Sequence, residues 1–128
     1  MSKGEYKITL DNEHKIVRVA ASGDINKKLG EEIITNARTE AAKHKYSILC
    51  DVSKADAKVS LKDWFFLPRT LPVLKNPETS YIAAAILIPI GKQEQAYHFY
   101  EAVTQNIGMK LKMFVNEKDA IKWLQSVG

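Results

Sequence analysis

Apolar and polar residues alternate in two stretches near the start of the chain. Every second residue of Tyr6–Leu10 is apolar, which is the pattern of a half-buried strand. A second strand is predicted over Ile16–Ser22, where the sequence reads IVRVAAS. Because only a short polar turn separates them, the two strands are predicted to form an antiparallel hairpin. The glycine and aspartate that follow are predicted to end the second strand.

Three later segments repeat their apolar residues every three or four positions, the period of a helix that buries one face. The first of these helices is predicted from about Asn26 to Lys43. The next runs from Glu94 to Ile107, with a glycine placed to stop it. The last follows Asn116, whose side chain is predicted to cap the helix.

Three further strands are predicted between and after these helices, over Ser47–Val52, within Tyr81–Ile90 and over Lys110–Val115. The strand within YIAAAILIPI is apolar on both faces, which is typical of a central parallel strand. The last strand, KLKMFV, carries two lysines, and charge of this kind suits a strand at the edge of a sheet.

The segment from Ser60 to Asn76, SLKDWFFLPRTLPVLKN, combines the start of a helix with two helix breakers, Pro68 and Pro72. A proline in a helix interior costs about 3 kcal/mol, and the residue before it avoids helical geometry. We therefore predict a short helix from Ser60 to about Leu67, a kink at Leu67–Pro68 and an irregular stretch to Asn76.

The resulting order is β-β-α-β-α-β-α-β-α, which predicts an α/β fold with a five-stranded, mixed, mostly parallel sheet and about four helices. If neighbouring strands follow one another in sequence, right-handed crossovers place their helices on one side of the sheet. The other face then needs cover, from a helix that swings across it or from a partner molecule. A chain of 128 residues corresponds to one domain, predicted to span residues 1–128.

The charge composition limits the kinds of molecule that the protein is expected to bind. The net charge is +4, yet the chain has only three arginines, Arg18, Arg38 and Arg69. Because arginine is the usual reader of phosphates and bases, and because the lysines are mixed with acidic residues, the composition argues against specific nucleic-acid binding. The single cysteine, Cys50, cannot form an intrachain disulfide. No apolar run approaches the ~20 residues of a transmembrane segment, so we expect a cytoplasmic protein.

Residues that carry catalysis or bind metals do not group at recognisable spacings. His14, His44 and His98 include no pair with metal-ligand spacing, and the glycines form no phosphate-binding loop. Asp51 ends a predicted parallel strand, where it could face a site or accept bonds from Ser53 in an Asx-turn. We predict no catalytic residue, no metal and no cofactor, and expect that the protein is not an enzyme.

Several phrases of the sequence resemble the STAS domain, and most closely its SpoIIAA-like group. They are the opening hairpin, SGDIN before the first helix, ILCDVSKADAKVS across a strand, loop and helix start, and FVNEKDAIKWL at the end. The resemblance covers nearly the whole chain and implies a SpoIIAA/STAS-like fold. The family includes anti-sigma factor antagonists, which bind a kinase-like partner and are switched by phosphorylation of a serine. Related naming links some SpoIIAA-like proteins to Sec14-type lipid-binding domains.

The resemblance places Ser60 at the position of the family's regulatory serine, which lies in a pattern like Asp-Ser-Ser-Gly. Here Val59 stands in place of the acid, Leu61 in place of the second serine, and the glycine is absent. Ser60 is therefore a candidate phosphosite, because a phosphate is stabilised at a helix N-terminus. The alternative is that Ser60 is a plain N-cap that accepts a hydrogen bond from the Asp63 amide.

A broken second helix cannot point all of its large apolar side chains at one sheet. Either some pack inward while the rest cover the bend, or they form an exposed patch of the kind that marks a partner or ligand site. We predict that at least one aromatic residue at positions 64–66 is partly exposed. Parallel topology makes the second and third helices neighbours, so Tyr97, Phe99 and Tyr100 of the third helix are predicted to complete the same surface. The hypothetical partner- or ligand-binding residues are Trp64, Phe65, Phe66, Arg69, Tyr97 and Tyr100.

Two functions follow from these expectations. The first is a non-enzymatic STAS-like interaction or regulatory module, predicted to be a homodimer because a second copy is the simplest partner, with another protein as a further partner. The alternative is a protein that binds a small apolar or lipid-like ligand in a pocket beside the bent second helix.

Overall fold

The computed structural model describes residues 3–127 and contains one five-stranded sheet with the strand order β1-β2-β3-β4-β5. β1 and β2 are antiparallel, and the other neighbouring pairs are parallel. The predicted hairpin, the central position of β4 and the edge position of β5 are confirmed. The strands are β1 Glu5–Asp11, β2 Ile16–Asn26, β3 Ser47–Lys58, β4 Ala84–Leu87 and β5 Leu111–Phe114.

The described chain has six helices rather than about four, because two single turns follow the second helix. Both turns begin at a proline, where the missing N–H would have no helical partner in any case. None of the helices within residues 3–127 has the length and apolar character needed to cross a membrane. The helices are α1 Lys27–His44, α2 Leu61–Thr70, α3 Pro72–Lys75, α4 Pro77–Ser80, α5 Glu94–Asn106 and α6 Glu117–Val127.

β2 and β3 extend well beyond their predicted ends. The prediction that Gly23 and its neighbour end β2 is wrong, since Gly23 pairs with Ala55 and the ladder continues until Asn26 pairs with Lys58. Gly23 has φ 75°, a left-handed conformation that glycine adopts without steric cost, so the strand passes through it. The longer parallel pair gives the sheet an overhanging end, from which α1 and α2 both start.

Polar side chains start the first and last long helices as the sequence predicts. Asn26 accepts a hydrogen bond from the Leu29 amide at 2.8 Å at the start of α1. Asn116 accepts one from the Asp119 amide at 3.2 Å at the start of α6. Each bond satisfies one of the free N–H groups of a first helical turn, which fixes where the helix begins.

Helices cover both faces of the sheet. α1, α2 and α5 pack on one face, where Ile33, Leu67 and Tyr100 join the larger apolar core. α6 packs on the opposite face, with Ala120 and Leu124 almost fully buried. The predicted helix that swings across the sheet is therefore α6. It packs against sheet residues that include Ile16, Leu49, Ala85 and Leu87.

Candidate functional site

The residues of α2 are divided between the interior and the surface. Leu67 and Pro68 are buried against the core, whereas Phe65 and Phe66 are 38% and 46% exposed. The prediction that an aromatic residue of this helix is partly exposed is confirmed. A ten-residue helix therefore presents aromatic side chains to both sides.

The predicted kink at Leu67–Pro68 is misplaced, because α2 continues through Pro68 to Thr70. Pro68 removes only one helical N–H, and its buried position holds the turn together. The side chain of Arg69 donates to the Phe65 carbonyl at 2.9 Å, and a hydroxyl does the same for the next carbonyl. The chain leaves helical geometry at Leu71, with ψ 120°, as expected for a residue that precedes a proline.

Ser60 is the N-cap of α2. Its hydroxyl oxygen accepts a hydrogen bond from the Asp63 amide at 3.1 Å, and the Trp64 amide donates to the Ser60 carbonyl at 3.0 Å. The plain N-cap interpretation accounts for this geometry. Phosphorylation of Ser60 stays a prediction.

A Ser60→Ala substitution is expected to lower the free energy of unfolding by about 1 kcal/mol, because it removes the acceptor for a free N–H of α2. Urea unfolding followed by circular dichroism measures the change. Ser60→Asn is the matched control, since asparagine caps as well as serine and should keep most of the stability. Equal losses in both variants would show that the cap contributes nothing.

The outer face of α2 consists of Leu61, Lys62, Phe65, Phe66 and Arg69. The rings of Phe65 and Phe66 meet edge to face with centroids 5.2 Å apart. The guanidinium carbon of Arg69 lies 4.1 Å from the centre of the Phe65 ring, a cation–π arrangement. Leu61 is 51% exposed at the start of the same face. This face is therefore apolar at its centre and positively charged at its edges.

Trp64 points the other way, toward α5. Its ring lies 4.7 Å from that of Tyr100 and 6.1 Å from that of Tyr97, measured between centroids. α2 and α5 are neighbours, as predicted. However, Tyr97 and Tyr100 are buried, so the prediction that they complete one surface with Phe65 and Phe66 is wrong. The six candidate residues form an outer face and an inner cluster.

The inner cluster borders a cavity of ≈ 120 Å³ between the sheet and helices α1, α2 and α5. The space exists because small side chains occupy positions where larger ones would fill the core, such as Ala37 on α1 and Ala84 on β4. Trp64, Tyr97 and Tyr100 form part of the wall. We call this space the inner cavity. Its wall is almost entirely apolar.

Arg38 also lines the inner cavity and is only 3% exposed. Its Nη1 donates hydrogen bonds to the carbonyl oxygens of Thr79 at 2.8 Å and Ile82 at 3.0 Å. Burial lowers the pKa of Arg38 from its ordinary value. The sequence interpretation missed this residue because it treated Arg38 as surface charge. Its position four residues after Ile34 and three before Ala41 was the available signal, since this spacing lies on the inner stripe of α1.

Three titratable groups buried at the inner cavity are held in their neutral forms. Burial raises the pKa of Cys50, Tyr97 and Tyr100 to about 12 in each case. A thiol in this state is a poor nucleophile, so Cys50 behaves as a small buried apolar residue. The inner cavity is suited to binding rather than to acid–base chemistry.

Asp51 forms the predicted Asx-turn. The Ser53 amide and hydroxyl donate to Asp51 Oδ1 at 2.9 and 2.6 Å. The carboxylate therefore stabilises the local turn, and Asp51 is not part of the inner cavity wall.

Three groups that could ligate a metal lie together at the β1–β2 turn, from Asp11, Glu13 and His14. Asp11 already accepts hydrogen bonds from His14 and, at 2.9 Å, from Arg18 Nε. The bonds from His14 are the largest cause that lowers the Asp11 pKa to about 2. Because Arg18 adds a positive charge at this carboxylate, the cluster is arranged as a hydrogen-bonded turn.

Comparisons with known proteins identify the architecture. No family model matches the chain, and no curated protein matches it. An uncharacterized DUF3478-family protein with a SpoIIAA-like fold, from Shewanella loihica PV-4, has a crystal structure that superposes with a TM-score of 0.55 and 21% identity. That match covers 97% of this chain and 98% of the other. The unphosphorylated anti-sigma factor antagonist SpoIIAA matches with a TM-score of 0.54 and 11% identity, over 94% of this chain and 98% of the other.

Proposed function

We propose, from the SpoIIAA-like fold that this chain adopts, that the protein is a non-enzymatic interaction module whose partner docks on the outer face of α2. The observation that carries the proposal is the side-by-side exposure of Phe65 and Phe66. One of the structural relatives described above is named an anti-sigma factor antagonist, a name that indicates action on another protein. A protein partner is therefore the first kind to consider.

The composition of the outer face supports a protein partner. Aromatic residues and arginine are enriched at the centres of protein interfaces, and both are present here within one helical turn of each other. Trp64 and Leu67 are the side chains of α2 that face the core, whereas Phe65 and Phe66 lie at the surface. The exposed parts of the two phenylalanine rings are therefore available for a partner.

The charges on this face favour an acidic amphipathic segment of another protein as the occupant. Lys62 and Arg69 border the two phenylalanines, and the whole chain carries a net charge of +4. A second copy would bring like charges together at the rim, which costs affinity and slows association. The homodimer that the sequence predicts is therefore the alternative outcome of the test below.

Two synthetic amphipathic peptides with the same leucine and phenylalanine positions, one with glutamates and one with lysines between them, test the proposal. We expect the acidic peptide to bind the full chain at least about tenfold more tightly, measured by fluorescence anisotropy. Phe66→Ala should weaken its binding by about tenfold or more, as for a central interface residue. Phe114→Ala, which changes a phenylalanine on the opposite sheet face, is the matched control and should leave the affinity unchanged.

Sedimentation of the wild-type chain without peptide separates the two partners. A monomer that binds only the acidic peptide supports the proposal. Equal binding of both peptides, or no binding, would overturn it. Self-association that Phe66→Ala abolishes would assign the face to a second copy instead.

The inner cavity favours a second function, binding of a small apolar ligand. Protein interiors rarely keep voids larger than a water molecule, and an empty space of ≈ 120 Å³ costs about 3 kcal/mol of stability. An engineered apolar cavity of about 150 Å³ binds benzene, so a ligand of similar size fits here. Binding of hexanamide that shifts the NMR signal of the Trp64 indole N–H would support this function.

A further inference from the structure

Arg38 has hydrogen-bond donors that the described chain does not use. An arginine side chain carries five N–H groups in a planar fork. In Arg38 only Nη1 donates to residues 3–127, and all of its acceptors are backbone carbonyls at the end of α4 and just after it. The Nε and Nη2 groups have no acceptor in this part of the chain.

These free donors are not sealed inside the protein. Among residues 3–127, the only fully enclosed side-chain nitrogen or oxygen without a partner is Trp64 Nε1. The unpaired nitrogens of Arg38 therefore retain accessible surface, although the residue as a whole is 3% exposed. Arg38 lines the inner cavity together with Tyr100, so a molecule inside it reaches Arg38 through the part of this surface that faces the cavity.

The charge of Arg38 also lacks a counter-ion. No carboxylate of the described chain pairs with it, and the one side chain that favours its charged form electrostatically is Tyr100. A buried charge without a partner is strongly unfavourable, and buried arginines are normally paired with carboxylates. A ligand that brings an anion into the inner cavity would supply the missing partner.

We propose that the inner cavity binds a small apolar monocarboxylate, whose carboxylate pairs with Arg38 while its hydrocarbon part lies along the apolar wall. The proposal rests on the second function above and names its ligand class. A guanidinium offers two parallel N–H donors that match the two oxygens of a carboxylate. The Tyr100 hydroxyl lies close enough to Arg38 to interact with its charge, and Tyr100 also lines the inner cavity and adds a further donor. The apolar wall rejects ligands with a polar tail.

The size of the inner cavity limits the ligand. At ≈ 120 Å³ the inner cavity holds about as many atoms as a single aromatic ring. Lys27 and Gly30 line the same space at the start of α1, and Lys27 is exposed there. α1 rises by about 1.5 Å per residue, so this end lies about 16 Å from Arg38. A six-carbon chain is much shorter than this distance, so a ligand of this size anchored at Arg38 stays within the inner cavity.

Sodium hexanoate and hexanamide are the probes, because they have nearly the same shape and differ in charge. Each is titrated into isotope-labelled wild-type protein while the indole N–H signal of Trp64 is followed by NMR. Trp123 lies on α6 beyond the opposite sheet face and serves as an internal control. We expect hexanoate to bind at least about tenfold more tightly than hexanamide and to shift only the Trp64 signal.

Arg38→Gln should weaken hexanoate binding by about tenfold or more and change hexanamide binding by less than about threefold. Arg18→Gln is the matched control, since Arg18 lies outside the inner cavity and its loss should change neither affinity. If Arg38→Gln fails to fold, the comparison of the two probes in the wild-type protein still decides the question.

The outcomes separate the ligand class from the binding function. Equal affinities for hexanoate and hexanamide, both seen at Trp64, would overturn the carboxylate assignment and leave the ligand-binding function standing. If neither probe shifts the Trp64 signal, both proposals fail. A shift confined to Trp123 would also overturn them, because the bound site would lie elsewhere.

Discussion

A Leu124→Ala substitution is expected to lower the free energy of unfolding by about 2–5 kcal/mol, the usual cost of a large-to-small change in a core. Leu124 is 2% exposed and packs between α6 and the sheet. α6 alone supplies the helical cover of this sheet face within the described chain, so no neighbouring helix can move in to fill the space.

Urea unfolding followed by circular dichroism and by tryptophan fluorescence measures this effect. Fluorescence sums the signals of Trp123 on α6 and Trp64 on α2, so a single fluorescence transition that coincides with the circular dichroism transition shows that both sheet faces unfold together. Lys122→Ala is the matched control because its side chain is exposed on the same helix, and it should change stability by no more than about 0.5 kcal/mol. A loss below about 1 kcal/mol for Leu124→Ala would show that α6 contributes little to the core.

Local patterns predicted most of the fold. Periodicity predicted the hairpin, α1, α5 and α6. Each of these elements buries one face along its own length, so its apolar positions repeat within a short stretch of sequence. The resemblance to the SpoIIAA-like group predicted the architecture that the structural matches support. The mostly parallel sheet follows from the alternation of strands and helices.

Features that depend on distant residues were not predicted. The outer halves of β2 and β3 contain glycine and acidic residues, which disfavour strands, yet they pair with each other over many residues. Long-range pairing therefore overrode local propensity. Likewise, α2 extends past Pro68 because the buried Pro68 and the bonds from Arg69 and Thr70 hold its last turn, and the break occurs only at Leu71.

The sequence singled out residues for the candidate site but did not predict how they are arranged. It pointed to the aromatic residues of α2 and α5, but a linear pattern cannot state which side of a helix faces the core. In the structure, Phe65 and Phe66 lie at the surface and Trp64 lines the inner cavity. Arg38 was missed because its burial depends on carbonyls about forty residues away, in and beyond α4.

The same helix therefore borders both proposed sites. Trp64 contacts the tyrosines of the inner cavity while its neighbour Phe65 lies on the outer face. A ligand that contacts Trp64 would therefore touch the same helix that presents the two phenylalanines. The two proposed functions are thus compatible, since one helix separates the ligand from the partner.

A Gly23→Ala substitution is expected to lower the free energy of unfolding by at least about 2 kcal/mol, for two reasons. Gly23 has φ 75°, where an L side chain costs about 1–2 kcal/mol. A Cβ at this position would also lie 2.3 Å from the Lys3 carbonyl oxygen, closer than atoms can approach. Lys3 pairs with Asp24 next to this position, so the first residues of the described chain must move away.

Gly91→Ala separates these two causes. Gly91 has φ 71°, nearly the same conformation, but a Cβ there would meet no atom within 4 Å. It should therefore lose only the conformational part, about 1–2 kcal/mol. The difference between the two variants in urea unfolding measures the cost of displacing the segment beside β2. Equal losses would show that this segment moves freely, and that its pairing with the end of β2 adds no stability to the sheet from which α1 starts.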